Sequence, residues 1–510
     1  MKKLLVAAMM SVWGAVSLLA QPVITQQPTN QTVVNGDNVV LTVQVSGAGP
    51  FTYQWQCNGT NLPNNIITTI AGNGARRLSG DGGDGGAATN GSLNLPNSAL
   101  MDASGNLFVA DENRIREVAT NDIISTIAGG GTNYLGSGIF ATNALLMIAT
   151  GIAIDVNGNV LVADFSGGPP ISRVRKINTN GIITTVAGGG TNSAIGIMAT
   201  NSRITAVDIA VDNAGDLFIA GFLDDVVYKV DANGIITIFA GKLGSQRESG
   251  DGAAATNASL TVPQAVALDA TGNLFIADIE YVRKVDLNGI ITTVAGGGTN
   301  YPGTGEMGTN ANLSDPGGVA IDARGNLFFS DRQVVWELDT NGILTLVAGN
   351  GIEGFAGDGG AATNASLYLP QRVSVDAAGN LIIADSWNNR IREVALAGCP
   401  LRTLNQVNVN NAGIYSVTIT SPEGSVTSSN AVLTVIVPPS LFAAPSVAGS
   451  FSLAWSAQSN FTYQLQYTTN LSAPSWVNLG GPITATNGSA STADFPVSDF
   501  RRFYRLQLVQ

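Results

Sequence analysis

Along most of the chain, apolar and polar positions alternate over short runs. The runs are separated by clusters of Gly, Asn, Asp and Thr. Val39-Val40-Leu41-Thr42-Val43 and Tyr463-Gln464-Leu465-Gln466-Tyr467 read as half-buried strands, with one face inward and one outward. Runs such as Val266-Ala267-Leu268 are apolar on both faces, as expected of strands packed between two layers. The pattern predicts many short strands joined by tight turns, and it suits long helices badly.

Two patterns recur six times each. DASGNLFVAD opens at Asp102, with counterparts opening at Asp155, Asp212, Asp269, Asp322 and Asp376, at steps of 53, 57, 57, 53 and 54 residues. The second is IITTIAG from Ile66, with counterparts from Ile123, Ile182, Ile235, Ile290 and Ile343. Each repeat predicts four strands. An inner apolar strand comes first, followed by an Asp-x-x-Gly-Asn turn whose Gly and Asn tolerate left-handed backbone. A second and a third strand follow, and the β-branched Ile-Ile-Thr-Thr run is the outer one. Such a sheet cannot cover both of its faces alone, but six packed around an axis can. The first outer-strand motif precedes every inner strand, and the last repeat ends at Arg392-Glu393-Val394 without one. Residues Ile66 to Ala71 are therefore expected to complete the last sheet.

The segment GDGGAATNASLYLPQRVSVDAAGNLIIADSWNNRIREV, Gly357 to Val394, resembles the NHL-repeat family of propellers. The resemblance covers roughly residues 66 to 397 and implies a six-bladed β-propeller of four-stranded blades. The flanks resemble an immunoglobulin-like β-sandwich in two halves, 22–64 and 399–437. Trp55 stands as its core aromatic, and Tyr415, in Asn411-Ala412-Gly413-Ile414-Tyr415, as its corner tyrosine. Val43 and Val417 stand where that family's inter-sheet cysteines would be. Residues 441–510, after the stiff Val437-Pro438-Pro439-Ser440 linker, resemble a fibronectin type III-like module. The fold class is all-β: a propeller at 65–398 inserted into an immunoglobulin-like sandwich, followed by a small β-sandwich.

Charge narrows the partners. The 510-residue chain has 12% charged residues and a formal net charge of -12, which disfavours nucleic acid. Met1-Lys2-Lys3 followed by an apolar run to Ala20 reads as a secretory signal, so the mature chain is expected outside the cytoplasm, secreted or at the cell surface, with the periplasm open. The two cysteines, Cys57 and Cys399, flank the propeller and form either a disulfide or two free thiols.

The absence of any histidine removes a Ser-His-Asp triad, a histidine base and a Cys/His zinc site. It also removes the zinc chemistry that the resemblance to NHL-type amidating lyases would imply. The Glu that gluconolactonase-type propellers place on inner strands is not found. Asp111, Asp164, Asp278, Asp331 and Asp385 end the second strand in five repeats, with Gly221 in the sixth. They read as structural residues that cap their own turns and pair locally. Asp81 and Asp84, in the Gly-rich loop Gly80–Gly85, are the candidate calcium ligands; otherwise no cofactor is implied.

Roughly 20 residues separate each Ala-Gly from the next inner strand, long for such a fold. These loops suggest a broad neutral platform, with Tyr134, Phe140, Tyr301, Phe355 and Tyr368 as candidate ligand-binding residues. The expected function is non-catalytic binding or adhesion toward an extracellular protein or carbohydrate. The alternatives are a metal-dependent lactonase-like hydrolase or lyase, and a structural surface or matrix component.

Overall fold

The computed structural model describes residues 21–37, 39–47, 51–61, 65–76, 82–133, 136–167, 172–245, 249–396, 401–404, 407–421, 423–444, 451–472, 474–494 and 502–509. They divide into two compact units, one within 63–399 and one formed by the flanks.

The first unit contains six sheets of four main strands. In chain order, sheet I is Pro96–Met101, Leu107–Asp111, Arg114–Val118 and Ile124–Gly129. Sheet II is Ile148–Ile154, Val160–Phe165, Arg173–Ile177 and Ile182–Gly188. Sheet III is Ala206–Val211, Leu217–Gly221, Val226–Val230 and Ile235–Gly241. Sheet IV is Pro263–Leu268, Leu274–Asp278, Tyr281–Val285 and Ile291–Gly296. Sheet V is Pro316–Ile321, Leu327–Asp331, Val334–Leu338 and Leu344–Ala348. Sheet VI is Pro370–Val375, Leu381–Asp385, Arg390–Ala395 and, from the start of the unit, Ile66–Ala71. That last strand pairs antiparallel to its neighbour, with Val394 opposite Ile67. Each inner strand touches the next, and the inner strand of sheet VI touches that of sheet I, so the cycle closes.

Second strands are buried throughout, as in Leu274–Asp278, except for the half-buried Phe165 that ends the one in sheet II. One face of each packs on the preceding sheet and the other on the following sheet. Phe218, for example, belongs to the core shared by sheets III and IV, and Phe275 to that shared by IV and V. The Asp-x-x-Gly-Asn turns are built as their chemistry predicts. Asp269 Oδ1 accepts from the backbone N–H of Thr271 and of Asn273, while Gly272 takes a φ of 97°.

In the second unit the two halves of the immunoglobulin-like sandwich interleave. Thr52–Cys57 pairs with Gly413–Ser421, Val39–Thr42 with Leu401–Leu404, and Gln31–Val34 runs parallel to Ala431–Ile436. Trp55, Val43, Tyr415 and Val417 share one core, so apolar packing occupies the place of the missing bridge. The Tyr415 hydroxyl donates to Asn411 O at 2.6 Å, the corner geometry expected of it. A smaller sandwich of two sheets follows, around Leu453, Trp455, Tyr463 and Leu465.

Candidate binding site

The second-strand Asp residues define one end of the propeller. Each reaches the loop that enters its own sheet's inner strand. Asp111 Oδ1 accepts from Asn94 N at 2.5 Å, Asp164 Oδ1 from Met147 N at 2.7 Å, Asp278 Oδ1 from Thr261 N at 2.7 Å and Asp385 Oδ1 from Tyr368 N at 2.8 Å. Asp331 Oδ1 serves both Ser314 N and Asp315 N. Each of these carboxylates thus holds a backbone amide well upstream of the turn that follows it. In sheet III, where Gly221 replaces the acid, Asp224 takes the job and accepts from the N–H and the hydroxyl of Thr205.

In sheets I, IV and VI a buried arginine extends this arrangement. Arg116 lies between Asp111 and Asp84, Arg392 lies between Asp385 and Asp358, and Arg283 meets Asp251 at 2.5 Å. Asp84, a calcium candidate, thus holds a guanidinium with Oδ1 and the Thr126 amide with Oδ2. Asp81 lies outside the described residues. Among the described residues, no group of three or more His, Cys, Asp or Glu is arranged to hold a metal ion.

The long loops do not stand up as a platform. Each runs back along the outer strand of the sheet it leads into and bridges to its first residues: Ala87 to Ile123, Phe140 to Ile182, Met198 to Ile235, Ala254 to Ile290, Met307 to Ile343 and Ala361 to Ile66. A 3-10 turn, such as Ala255–Asn257, then packs against the outer strand of the preceding sheet. An exposed outer strand offers unpaired amides and carbonyls, and the loop length is consumed in covering that edge. The expectation of a raised platform is corrected accordingly.

The axis is filled by the protein's own side chains. Four residues before each turn Asp, the inner strands carry Ser98, Gly151, Asp208, Ala265, Gly318 and Arg372. Sheets III and VI stand opposite in the cycle. Arg372 crosses to Asp208, with Nε 3.1 Å from Oδ1, and its Nη2 donates to Val207 O and Gln264 O at 2.8 Å. The small residues make the crossing possible. A Cβ on Gly151 would stand 2.2 Å from Asp208 Oδ1, and one on Gly318 2.6 Å from Arg372 Cα. Burial pushes the Asp208 carboxyl up, against the pull of Arg372 and two backbone amides.

At the Asp end of sheet VI, two predicted aromatics come together with one that the sequence reading missed. Tyr368 and Trp387 face each other with ring centroids 5.3 Å apart, and Trp387 N donates to Tyr368 O. Trp387 is 51% exposed. The next residue, Asn388, donates to Gly354 O at 2.7 Å and so fixes the neighbouring Phe355. Phe355 carries the Arg390 guanidinium over its ring at 3.6 Å. Asn389 Oδ1 accepts from Leu95 N, and both residues hold left-handed backbone, φ 50° and 47°. The patch is therefore anchored on both sides. Trp387 lies within Asp385-Ser-Trp-Asn-Asn-Arg390, whose turn is longer by two residues than Asp111-Glu-Asn-Arg114. That excess was the signal for an outward-facing side chain.

The remaining candidates are scattered. Phe140 is exposed at the edge of sheet II, paired with Ile182 at the start of the outer strand, away from the Asp end. Tyr301 is 90% exposed on its loop. Tyr134 and Cys399 lie outside the described residues. Cys57 is half-buried and has no disulfide partner among the described residues.

Three family models match the chain: the NHL repeat at residues 367–393, the Teneurin NHL domain at 242–302 and the Immunoglobulin domain at 21–107. The central unit is an NHL-repeat β-propeller. The NHL match takes in Tyr368, Trp387 and Arg390 of the patch, but not Phe355. Human Teneurin-1 is 27% identical over 313 residues, which cover 54% of this chain and 11% of that protein. Teneurin-m of Drosophila melanogaster is 24% identical over 282 residues, 51% of this chain and 10% of that protein. The chain thus spans about a tenth of the length of these curated relatives. Among solved structures, an auxiliary nutrient binding protein from Bacteroides ovatus is similar at a TM-score of 0.48 and 14% identity, covering 73% of this chain and 98% of its own. A streptogramin B lyase is similar at 0.39 and 13%, covering 67% and 98%. Among the described residues no helix is long and apolar enough to cross a membrane.

Proposed function

We propose that this chain is an exported, non-catalytic binding or adhesion protein whose NHL propeller engages an extracellular protein through the Asp end of sheet VI. The observation that carries the reading is the anchored cluster of Tyr368, Trp387, Phe355 and Arg390. Tyr, Trp and Arg dominate the energetics of protein interfaces, and here they are held rigid before any partner arrives, so little ordering entropy opposes binding. The same rings offer faces to a sugar, so a carbohydrate ligand is the other outcome of the test.

The non-catalytic reading is supported by the axis. A lactonase-like mechanism needs a metal there, and Asp208 and Arg372 already occupy it with each other. The immunoglobulin-like and C-terminal sandwiches act as spacers or additional adhesive units. Export rests on the basic-then-apolar start, Met1 to Ala20.

The test is a screen of the mature chain against glycan and extracellular-protein arrays, with Trp387→Ala alongside. Loss of a hot-spot Trp costs at least about 2 kcal/mol, so binding of the wild-type hit should weaken by roughly 30-fold or more. A variant that binds its partner as wild type does, or a chain that binds nothing yet turns over a substrate, overturns the reading.

A further inference from the structure

The end of the propeller opposite the Asp clamps carries a concavity. A cleft of about 460 Å³ opens between sheets II and III. Its floor is apolar: Leu161, Val186, Val211, Leu217 and Val230. Lys176, the turn acid Asp155 and the amides of Asn157, Asn213 and Asn233 stand around it, with Asp231 on the sheet III side. The volume lies within the usual range for small-molecule sites, as does an apolar floor with a few polar groups at the rim.

The repeat explains why a cleft opens here. Six residues after the turn Asp, each second strand points one side chain into the interface with the next sheet. Sheets I, III, IV and V place Phe108, Phe218, Phe275 and Phe328 there, sheet II places Leu161 and sheet VI Ile382. Directly across the sheet on the third strand, Leu161 faces Lys176, Phe218 faces Lys229 and Phe275 faces Lys284. In sheets III and IV this pair forms a cation–π contact, with Lys229 Nζ 5.4 Å from the Phe218 centroid and Lys284 Nζ 5.5 Å from that of Phe275. Sheet II keeps the lysine and the apolar floor but lacks the ring. Lys176 is held over the cleft by Asp155, 2.8 Å away. Partial burial raises the Asp155 carboxyl, but its bonds from Lys176, Asn159 and Asn157 outweigh that and hold it at about 2, so the pair stays ionised at neutral pH.

We infer that the cleft between sheets II and III is a binding site for the aromatic ring of a small ligand, seated where four of the other five interfaces seat a phenylalanine and capped by the Lys176 ammonium. The ligand carries a neutral or cationic polar substituent. One cation, Lys176, faces two carboxylates, Asp155 and Asp231, so the rim is net negative, and its asparagines offer both donors and acceptors. Two neighbouring interfaces display the bound state with a built-in ring. The inference does not depend on the patch at the Asp end.

Tyramine, with cyclohexylamine as the non-aromatic control, is titrated into the full mature chain by calorimetry and by thermal shift. Wild type should bind tyramine at least tenfold more tightly than cyclohexylamine. Leu161→Phe supplies the missing ring, so it should abolish tyramine binding while raising the melting temperature. Lys176→Gln leaves the floor intact and should reduce the preference for the aromatic probe. The proposal is overturned if wild type does not bind tyramine at millimolar concentration, if the two probes bind equally, or if Leu161→Phe, folded as judged by its melting temperature, binds tyramine as wild type does.

Discussion

Sheets I, IV and VI solve the same local problem differently from sheets II, III and V. In sheets I and VI, a carboxylate from the loop strap and a buried arginine form one assembly with the strand-end acid, and in sheet IV the strap carboxylate of Asp251 pairs with the buried Arg283. Asp358, Arg392 and Asp385 show it in full. In the others the parts are exchanged. Tyr228 and Trp336 replace the arginine in sheets III and V. Thr304 Oγ1 accepts from Leu346 N at 3.0 Å, and Ser137 Oγ from Thr185 N at 3.3 Å, each replacing the strap carboxylate. What stays the same is the satisfied amide of the loop before the inner strand in all six sheets and, in sheets I, II, IV and V, of the outer strand. The ring demands an acceptor at those two places and leaves its charge open. A strap carboxylate stands against a buried arginine in sheets I, IV and VI, whereas sheet II buries Arg175 against a neutral strap, with Gly136 O as an acceptor, and sheet V buries Asp331 beside Trp336, held by the amides of Ser314 and Asp315.

The largest expected effect comes from breaking the set in sheet VI. Arg392→Met leaves Asp385 buried without its cation and should destabilise the propeller by about 3–5 kcal/mol in chemical denaturation. Converting the sheet to the pattern of sheet V, with Arg392→Trp and Asp358→Thr together, should cost less than the single change. A double variant as unstable as Arg392→Met would show that the two solutions are not interchangeable.

Sheet II offers a test by pH. Burial pushes the Asp164 carboxyl up to about 6, despite the Met147 amide and the charges of Arg173 and Arg175. A carboxyl that titrates higher in the fold than in the unfolded chain binds its proton more tightly when folded. Its contribution is therefore greatest in acid and is lost as pH rises from about 4 through about 6. Asp164→Asn keeps an acceptor for Met147 and should remove a pH-dependent loss on the order of 3 kcal/mol between pH 4 and 8. Parallel stability–pH curves for variant and wild type would refute this assignment. The smallest effect belongs to sheet V. Thr304→Val removes one neutral, exposed acceptor and should cost about 1 kcal/mol of unfolding free energy in chemical denaturation. A loss of several kcal/mol would mean that the strap bond carries more than its local amide.

The legible parts of the fold were those written at short range. Turn aspartates, the alternation of strands and the displaced outer strand at Ile66 all follow from residues within a few positions or from counting repeats. The corner hydroxyl of Tyr415 was legible for the same reason, its acceptor lying four residues upstream. The local pairing of the strand-end aspartates is legible in the sequence, as in Asp385 with Asn388 and Arg392, but the amides they also hold are not, because those lie 16 or 17 residues back across the sheet. The loops were misjudged because loop length says nothing about the edge a loop might cover. Asp208 and Arg372, 164 residues apart, look like ordinary strand positions taken singly. Only the column Ser98, Gly151, Asp208, Ala265, Gly318, Arg372 shows two oppositely charged side chains among four small residues. Phe355 and Tyr368 were named, but their shared segment, Ser386 to Arg390, was visible only once Trp387 was seen to turn outward.

The strand that closes the ring has a consequence for biogenesis. Ile66–Ala71 emerges from the ribosome before any of its sheet partners, and Arg390–Ala395 emerges more than 300 residues later. At roughly 5–20 residues per second, that strand waits on the order of 15–65 seconds with its hydrogen-bonding edges unpaired. The halves of the sandwich wait at least as long. A β-branched run left open for that time is a hazard for misassembly, and the contact it finally makes is among the most distant in the chain. Helper proteins that shield nascent strands, or transport across a membrane before folding begins, would matter more to this protein than to one whose last sheet closes on its own neighbours.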